Sequence, residues 1–213
     1  MAPDTLPLQP RRPAGPVTER TRVGRPPGTS RSLVAQTALR MFAEHGFEQT
    51  TVEDIAAALG VSRRTLFRYF TSKNDMVWGD FDLVLERLRR CLAATSPRQP
   101  LGEALRWAAV ESNRYEPEEL PELRIRMRLI TRVPALQAHS MIRYAEWRAV
   151  IAEFVGERLG CPSGSLIPQT VAHQALGSSM AAFVVWVDDP ASDLMENLER
   201  SYALLAEGLG SLG

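Results

Sequence analysis

Four cations and three aromatic rings crowd into residues 60–74, GVSRRTLFRYFTSKN. Leu66 and Phe70 are i,i+4 neighbours that can bury together, which leaves Arg63, Arg64, Phe67 and Arg68 facing away from any core. Arginine at the exposed start of a helix can grip guanine O6 and N7 through two parallel hydrogen bonds. An exposed Phe67 wastes apolar surface in water, but it packs well on a thymine methyl or a sugar. Tyr69 and Lys73 are placed to reach phosphates beside the groove, with backbone N–H groups at the helix starts near Thr51 and Ser72. The competing reading packs Phe67 and Tyr69 on the next helix and leaves the arginines as a solvated face. The helix cap, the glycine turn, the inward pair and the outward set all agree on a nucleic-acid surface.

Other chemistry is poorly served. The C-terminal GLGSLG matches a dinucleotide-loop spacing, but no strand precedes it and no helix follows. There is no HExxH, Walker A or nucleophile-elbow motif, and His45, His139 and His173 lack metal-ligand spacing. No enzyme activity, metal or cofactor is expected.

Three short helices must position the basic cluster. The first, SRSLVAQTALRMFAEHGF, carries Leu33, Ala38, Met41 and Phe42 at helical spacing and is stopped by Gly46. The second, TVEDIAAALG, has Thr51 as N-cap with Asp54 three residues on, and turns Val52, Ile55, Ala56 and Leu59 inward. The third is SRRTLFRYF, capped by Ser62. Only Gly60-Val61 separates the last two, and a short glycine-containing turn between short helices is a helix-turn-helix signature. A fourth helix is expected from Ser72 through about Ala94. Gly79 inside it costs ~1 kcal/mol relative to alanine and would permit close packing or bending beside Trp78. Further helices are expected over 100–115, 118–132, 134–159, 165–187 and 191–209, since no stretch alternates as a strand does. The expected fold is all-α, with about nine helices: a three-helix head followed by a larger bundle.

The 213 residues are 45% apolar, enough to bury a substantial core. Net charge is zero, yet residues 1–73 hold 11 basic and 6 acidic side chains, and the rest hold 14 and 19. Such an asymmetry is expected when one part meets a polyanion and the other does not. Of the 25 basic residues 24 are arginine, most of them compositional habit. Seven of the 15 prolines lie in residues 1–27, which are expected to be a disordered arm with a basic end at Arg20, Arg22 and Arg25. That arm lacks the apolar core of a signal peptide. Cys91 and Cys161 belong to no CxxC pattern and read as reduced thiols of a cytoplasmic protein. Residues 163–187 carry no charged side chain, but the strongly apolar part, MAAFVVWV, is far shorter than the ~20 residues of a membrane span, so a buried helix is expected.

The run TVEDIAAALGVSRRTLFRYFTSKNDMVW resembles the DNA-binding domain of TetR-family regulators, in a match that covers about residues 30–78. Leu59 and Phe67 depart mildly at that family's Ala and Tyr positions, and Thr71 and Asn74 also differ from its usual choices. The resemblance implies phosphate contacts at Thr50, Thr51, Tyr69 and Lys73, and a groove-facing set of Ser62, Arg63, Arg64, Thr65, Phe67 and Arg68. It divides the chain into the arm 1–27, a DNA-binding domain 28–75 and an effector and dimerisation domain 76–213. The WGDFD segment and ALQAHSMIRYAEWRAVIAEFVGERLG are similar to the mycofactocin-system branch of this family, which implies a repressor responding to long-chain acyl-CoA.

In a TetR-like architecture the last two long helices pair across a two-fold axis. Here Ala175, Gly177, Ser178, Ala181, Ala182 and Val185 would permit close approach in a homodimer on a palindromic operator, its half-sites about one turn (~34–36 Å) or a multiple apart. Trp107, Val110, Met127, Ile130, Tyr144, Trp147, Phe154 and Phe183 either line an effector cavity or fill a core. Arg124, Arg128 and Arg132 share a helical face with Arg126 nearby. They either hold the phosphates of a CoA-type effector or form a solvated row paired with Glu118, Glu119 and Glu122. The favoured reading is a cytoplasmic repressor released by a hydrophobic effector. The alternatives are an effector-independent regulator or activator, and a helical lipid carrier or enzyme.

Overall fold

The computed structural model describes residues 29–207. The arm 1–27 with Arg25, and the terminal GLGSLG, lie outside the described residues. Ten helices and no strand are found among those described: α1 (Arg31–His45), α2 (Val52–Ala58), α3 (Arg63–Phe67), α4 (Lys73–Trp78), α5 (Phe81–Ala94), α6 (Leu101–Ser112), α7 (Leu120–Arg132), α8 (Pro134–Leu159), α9 (Leu166–Asp188) and α10 (Leu194–Glu207).

The head is built by local signals. Ser30, Thr51, Ser62 and Ser72 each cap a helix by accepting a hydrogen bond from the N–H three residues on. Thr51 and Asp54 complete a reciprocal capping box. Between α2 and α3, Gly60 adopts φ +65°, a left-handed conformation that residues with a Cβ rarely take. The chain then turns back so that the Val61 N–H reaches the Ala56 carbonyl at 3.0 Å. Val34, Ala38, Leu39, Phe42, Ile55, Leu66 and Phe70 meet inside these turns, each buried.

The single fourth helix expected over residues 72–94 is two helices. Gly79, at φ +63°, ends α4, and the chain starts again at Phe81. Apolar periodicity runs through the break almost in register, so the sequence pattern conceals it. The result is ten helices rather than nine, with α4 packed on α1, α7 and α8 as a short link between head and body.

In the body α10 lies on α9 and α6, while α8 packs against α9, α7 and α5. The helix α9 is long and apolar enough by composition to cross a membrane. It is nevertheless built into the bundle, where Ala172, Ala175, Ser179, Ala182, Phe183, Trp186 and Val187 are buried. Tyr202 of α10 is fully buried against it, donating to the Ala175 carbonyl at 3.0 Å and sharing a 2.9 Å hydrogen bond with the Ser179 hydroxyl.

Candidate nucleic-acid interface and effector cavity

Leu66 and Phe70 are buried, as expected, and Arg63, Arg64, Phe67 and Arg68 lie on the open side of α3. Phe67 remains 39% exposed, with the Arg63 guanidinium 5.3 Å above its ring. Arg63 also pairs with Glu53 at 2.8 Å. Arg68 leans over the Tyr69 ring and donates to its hydroxyl at 3.2 Å. Among the described residues Arg64 makes no hydrogen bond, ion pair or ring contact, and its side chain is exposed. Ser62 and Thr65 spend their side chains on the cap, where the Ser62 hydroxyl accepts from the Thr65 N–H at 3.1 Å and lies 2.9 Å from the Thr65 hydroxyl.

The residues expected at phosphates are placed less uniformly. Thr51 is exposed at the start of α2, with its hydroxyl donating to the Asp54 carboxylate at 2.6 Å. That bond, with one from the Thr51 N–H, holds the Asp54 pKa below its ordinary value. Thr50 departs from expectation: it is 2% exposed and donates to the Gly46 carbonyl at 2.8 Å, so its hydroxyl closes the α1–α2 loop. Lys73 also departs from it. Its ammonium donates to the Phe47 and Thr50 carbonyls at 2.8 and 3.2 Å and sits 4.1 Å over the Phe47 ring, tying α4 to the head. The half-buried Tyr69 donates its hydroxyl to the Thr29 carbonyl just before α1.

A cavity of about 640 Å³ opens between α1, α4–α5 and the body. Five residues expected on its wall are there: Met127, Ile130, Tyr144, Trp147 and Phe183. Three are not. Trp107 is 41% exposed on α6, Val110 is packed in the core, and Arg128 points to solvent from α7. Phe154, too, lies off the wall, against the Arg158 side chain. The wall instead gains Trp78, Phe81, Arg87, Tyr115, Glu122 and Arg126, together with Ser32 and Gln36 from the head. Burial pushes the Tyr115 and Tyr144 phenols up. Spacing on α7 could have found Arg126, since it falls on the helical face of Leu123, Met127 and Ile130 rather than with Arg124, Arg128 and Arg132.

The expected arginine row serves another helix. Arg124 lies 4.1 Å over the Trp186 ring and donates to the Trp186 and Asp189 carbonyls. Arg132 pairs with Asp188. Both therefore complement the carboxyl-terminal end of α9, where orphan carbonyls and the helix dipole favour cations. Of the expected glutamate partners, Glu122 pairs with Arg126 at 2.7 Å, whereas Glu119 accepts from the Glu116 N–H at 2.9 Å.

On α9 the small residues divide. Ala175 and Ala182 are buried within the protomer, whereas Ala181 and Val185 are exposed and Ser178 is half-buried. Gln174, Gly177 and Val184 continue that outer stripe.

Two family models match the chain: bacterial regulatory proteins of the tetR family over residues 35–77, and the MftR C-terminal domain over residues 99–210. The chain belongs to the TetR family of transcriptional regulators. This TetR-family chain is 42% identical, over 90% of its length and 97% of the relative's, to a Mycobacterium tuberculosis protein named as the mycofactocin biosynthesis transcriptional regulator MftR. It is 31% identical to the regulator TcmR of Streptomyces glaucescens, over 62% of this chain and 61% of that one. Its fold is that of the fatty acid degradation regulator FadR from Bacillus halodurans, with a TM-score of 0.62 and 21% identity over 83% of this chain and 97% of that one. FadR from Bacillus subtilis, solved in complex with stearoyl-CoA, superposes with a TM-score of 0.60 at 20% identity, covering 82% and 97% of the two chains. The helix-turn-helix head is thus the DNA-binding domain of a TetR-family regulator, and the chain is not an enzyme.

Proposed function

We propose that this regulator is a homodimeric repressor that leaves its operator when a long-chain acyl effector enters the cavity. The observation that carries the reading is where the cavity lies. Its wall includes Ser32 and Gln36 of α1, Trp78 at the end of α4, and Met127, Ile130 and Phe183 of the body. A ligand there touches head and body together, so it can favour one arrangement of the two over another. The similarity to MftR and the stearoyl-CoA complex of Bacillus subtilis FadR support an acyl-CoA as that ligand.

The lining limits how such a ligand would sit. Asp80, Glu118, Glu119 and Glu122 share the wall with only two cations, Arg87 and Arg126. An acidic wall disfavours the CoA phosphates, so the acyl chain occupies the apolar interior and the nucleotide stays outside. Arg64 and Phe67 read bases, Arg63 and Arg68 face the duplex beside them, and the outer stripe of α9 joins two copies. The regulator works in the cytoplasm.

Duplexes selected by the protein from a randomised pool, followed by titration of the bound complex with palmitoyl-CoA, test the proposal. A two-fold symmetric consensus and release by palmitoyl-CoA are expected. Selection of no consensus would defeat the regulator's operator reading, and a complex indifferent to palmitoyl-CoA would defeat an acyl-CoA as the effector.

A further inference from the structure

Two arginines grip the elbow between α4 and α5 from opposite sides. From the cavity wall, Arg126 donates to the Val77 carbonyl, one of the last of α4, and to Glu122 at 2.7 Å. From the head, Arg31 donates to the Gly79 carbonyl at 3.4 Å and to the Tyr69 carbonyl at 2.6 Å, immediately after α3. Its guanidinium also lies 4.5 Å over the Phe70 ring. The elbow itself is shaped for this grip. A Cβ added at Gly79 would stand 2.8 Å from Arg126 Nη1, so only glycine lets the guanidinium this close. A continuous set of contacts therefore runs from the cavity through Arg126, the elbow and Arg31 to the end of the recognition helix.

The same elbow carries an unmet donor. Trp78 is 8% exposed and forms part of the cavity wall, and its indole N–H is buried with no acceptor among the described residues. A buried donor without a partner forfeits free energy that a correctly placed oxygen would return. Arg126 thus offers hydrogen-bond donors beside an interior lined by Leu123, Met127, Ile130 and Phe183, and the buried Trp78 indole N–H would have to shift to join them. This is a site for an oxygen at the head of an aliphatic chain, as in a fatty carboxylate or an acyl thioester.

We propose that Arg126 both recognises the effector's head oxygen and reports its arrival, by exchanging the Val77 carbonyl for that oxygen and so loosening the α4–α5 elbow. The inference rests on the effector reading given above and names the group that reads the ligand. With Arg126 withdrawn, the last turn of α4 loses its hydrogen bond to α7 while Asp75 still holds the first turn on α8, and Arg31 is left to hold Tyr69 and Gly79. The gripped elbow is the operator-binding state and the loosened elbow is the released one. Effector and operator then oppose each other through one equilibrium, each weakening the other's binding by the same factor.

The test uses the full chain, a duplex selected by the wild type, and two probes, palmitate and palmitoyl-CoA. Wild type should lose operator affinity about 5- to 150-fold with the active probe. Response to palmitate identifies a free carboxylate as the head group, and response to palmitoyl-CoA alone identifies the thioester; either supports the exchange. Arg126→Met keeps the apolar stem but removes the donors. It should bind the operator more weakly without any probe, bind the active probe at least about tenfold more weakly, and show no further release. Gly79→Ala displaces the guanidinium and also strains a backbone held at φ +63°, and both effects loosen the elbow while leaving the apolar lining unchanged. It should also weaken operator binding, yet bind the probe as tightly as wild type or more tightly, because it already favours the released state. Circular dichroism melts of both variants separate these effects from unfolding. An Arg126→Met protein that binds and responds as wild type does overturns this inference alone. A wild type that binds neither probe overturns the effector reading with it.

Discussion

The Asp75 carboxylate on α4 and the Arg143 guanidinium on α8 stand 3.0 Å apart, an ion pair that crosses from the DNA-binding head to the helical body. Both are largely buried, with side-chain exposures of 7% and 19%. His139 approaches the same Asp75 oxygen at 2.9 Å, and since a carboxylate can only accept, its Nε2 is the donor. The Ser72 and Thr71 hydroxyls donate to the other oxygen. Asp75 also sits at the start of α4, where the helix dipole favours a negative charge. One carboxylate therefore caps α4 and docks it on the body.

Burial alone would raise the Asp75 pKa, but the hydrogen bonds from Thr71, His139, Ser72 and Arg143 together outweigh it and hold the group at about 2. A depressed carboxylate contributes stability that is complete above its ordinary value of 3.8 and is withdrawn as pH falls towards about 2. Thermal melts from pH 5 down to 2 should show that loss in wild type. Asp75→Asn should melt lower at neutral pH, by about 3–5 kcal/mol if the buried pair is fully disrupted, with a flatter acid limb. Equal acid sensitivity in the two proteins would contradict the assignment.

The arginines of α3 should differ in what their loss does. Arg64→Ala removes an exposed guanidinium proposed to read a base and should cost about 1–3 kcal/mol of operator binding, with relaxed preference at one base position. Loss of the exposed Arg63–Glu53 pair should change stability by no more than about 1 kcal/mol. Competition binding against single-base variants of the selected duplex separates base reading from backbone contact.

The outer stripe of α9 predicts the assembly. Val185 is 52% exposed at the edge of an apolar run, and Val185→Glu places a charge where two copies would meet. The variant should shift from dimer to monomer in light-scattering chromatography and lose most of its operator affinity, while its helical circular dichroism is retained. Ala175→Glu should behave differently, because Ala175 is buried inside the protomer and the substitution would unfold it.

Tyr202→Phe should cost about 1–3 kcal/mol, since the Ser179 hydroxyl loses a buried partner and the Ala175 carbonyl loses a donor. For a chain of this size that is roughly 2–4 °C of Tm for each kcal/mol, measurable by calorimetry. An unchanged melt would mean that Ser179 finds another partner inside the bundle.

The head was legible because its signals are local. Thr51 with Asp54, Ser62 with Thr65, and Gly60 each act within a few residues, so short spacing reports them faithfully. The elbow was not legible, because Trp78 and Phe81 keep the apolar rhythm of one helix across Gly79. Trp78 and Trp107 show the same limit in the body. Both are large and apolar at helical spacing, yet only long-range packing puts Trp78 on the cavity wall and leaves Trp107 at the surface. Arg124 and Arg132 were misplaced because their partners, Trp186 and Asp188, lie more than fifty residues away in sequence. Thr50 and Lys73 occupy positions where the family resemblance implied phosphate contacts, but their hydrogen bonds are made inside the head.

Lys73 is the chain's one lysine, and its ammonium is held by the Phe47 and Thr50 carbonyls. Amine-directed acylation therefore finds a single lysine nitrogen, which must first let go of both carbonyls and lose its proton. Acylation would erase the charge and leave those carbonyls without that donor, so the modified head could not close again in the same way. The rate at which a thioester or an activated ester labels Lys73 becomes a clock for how often α4 lifts from the α1–α2 loop, readable by mass on the intact protein.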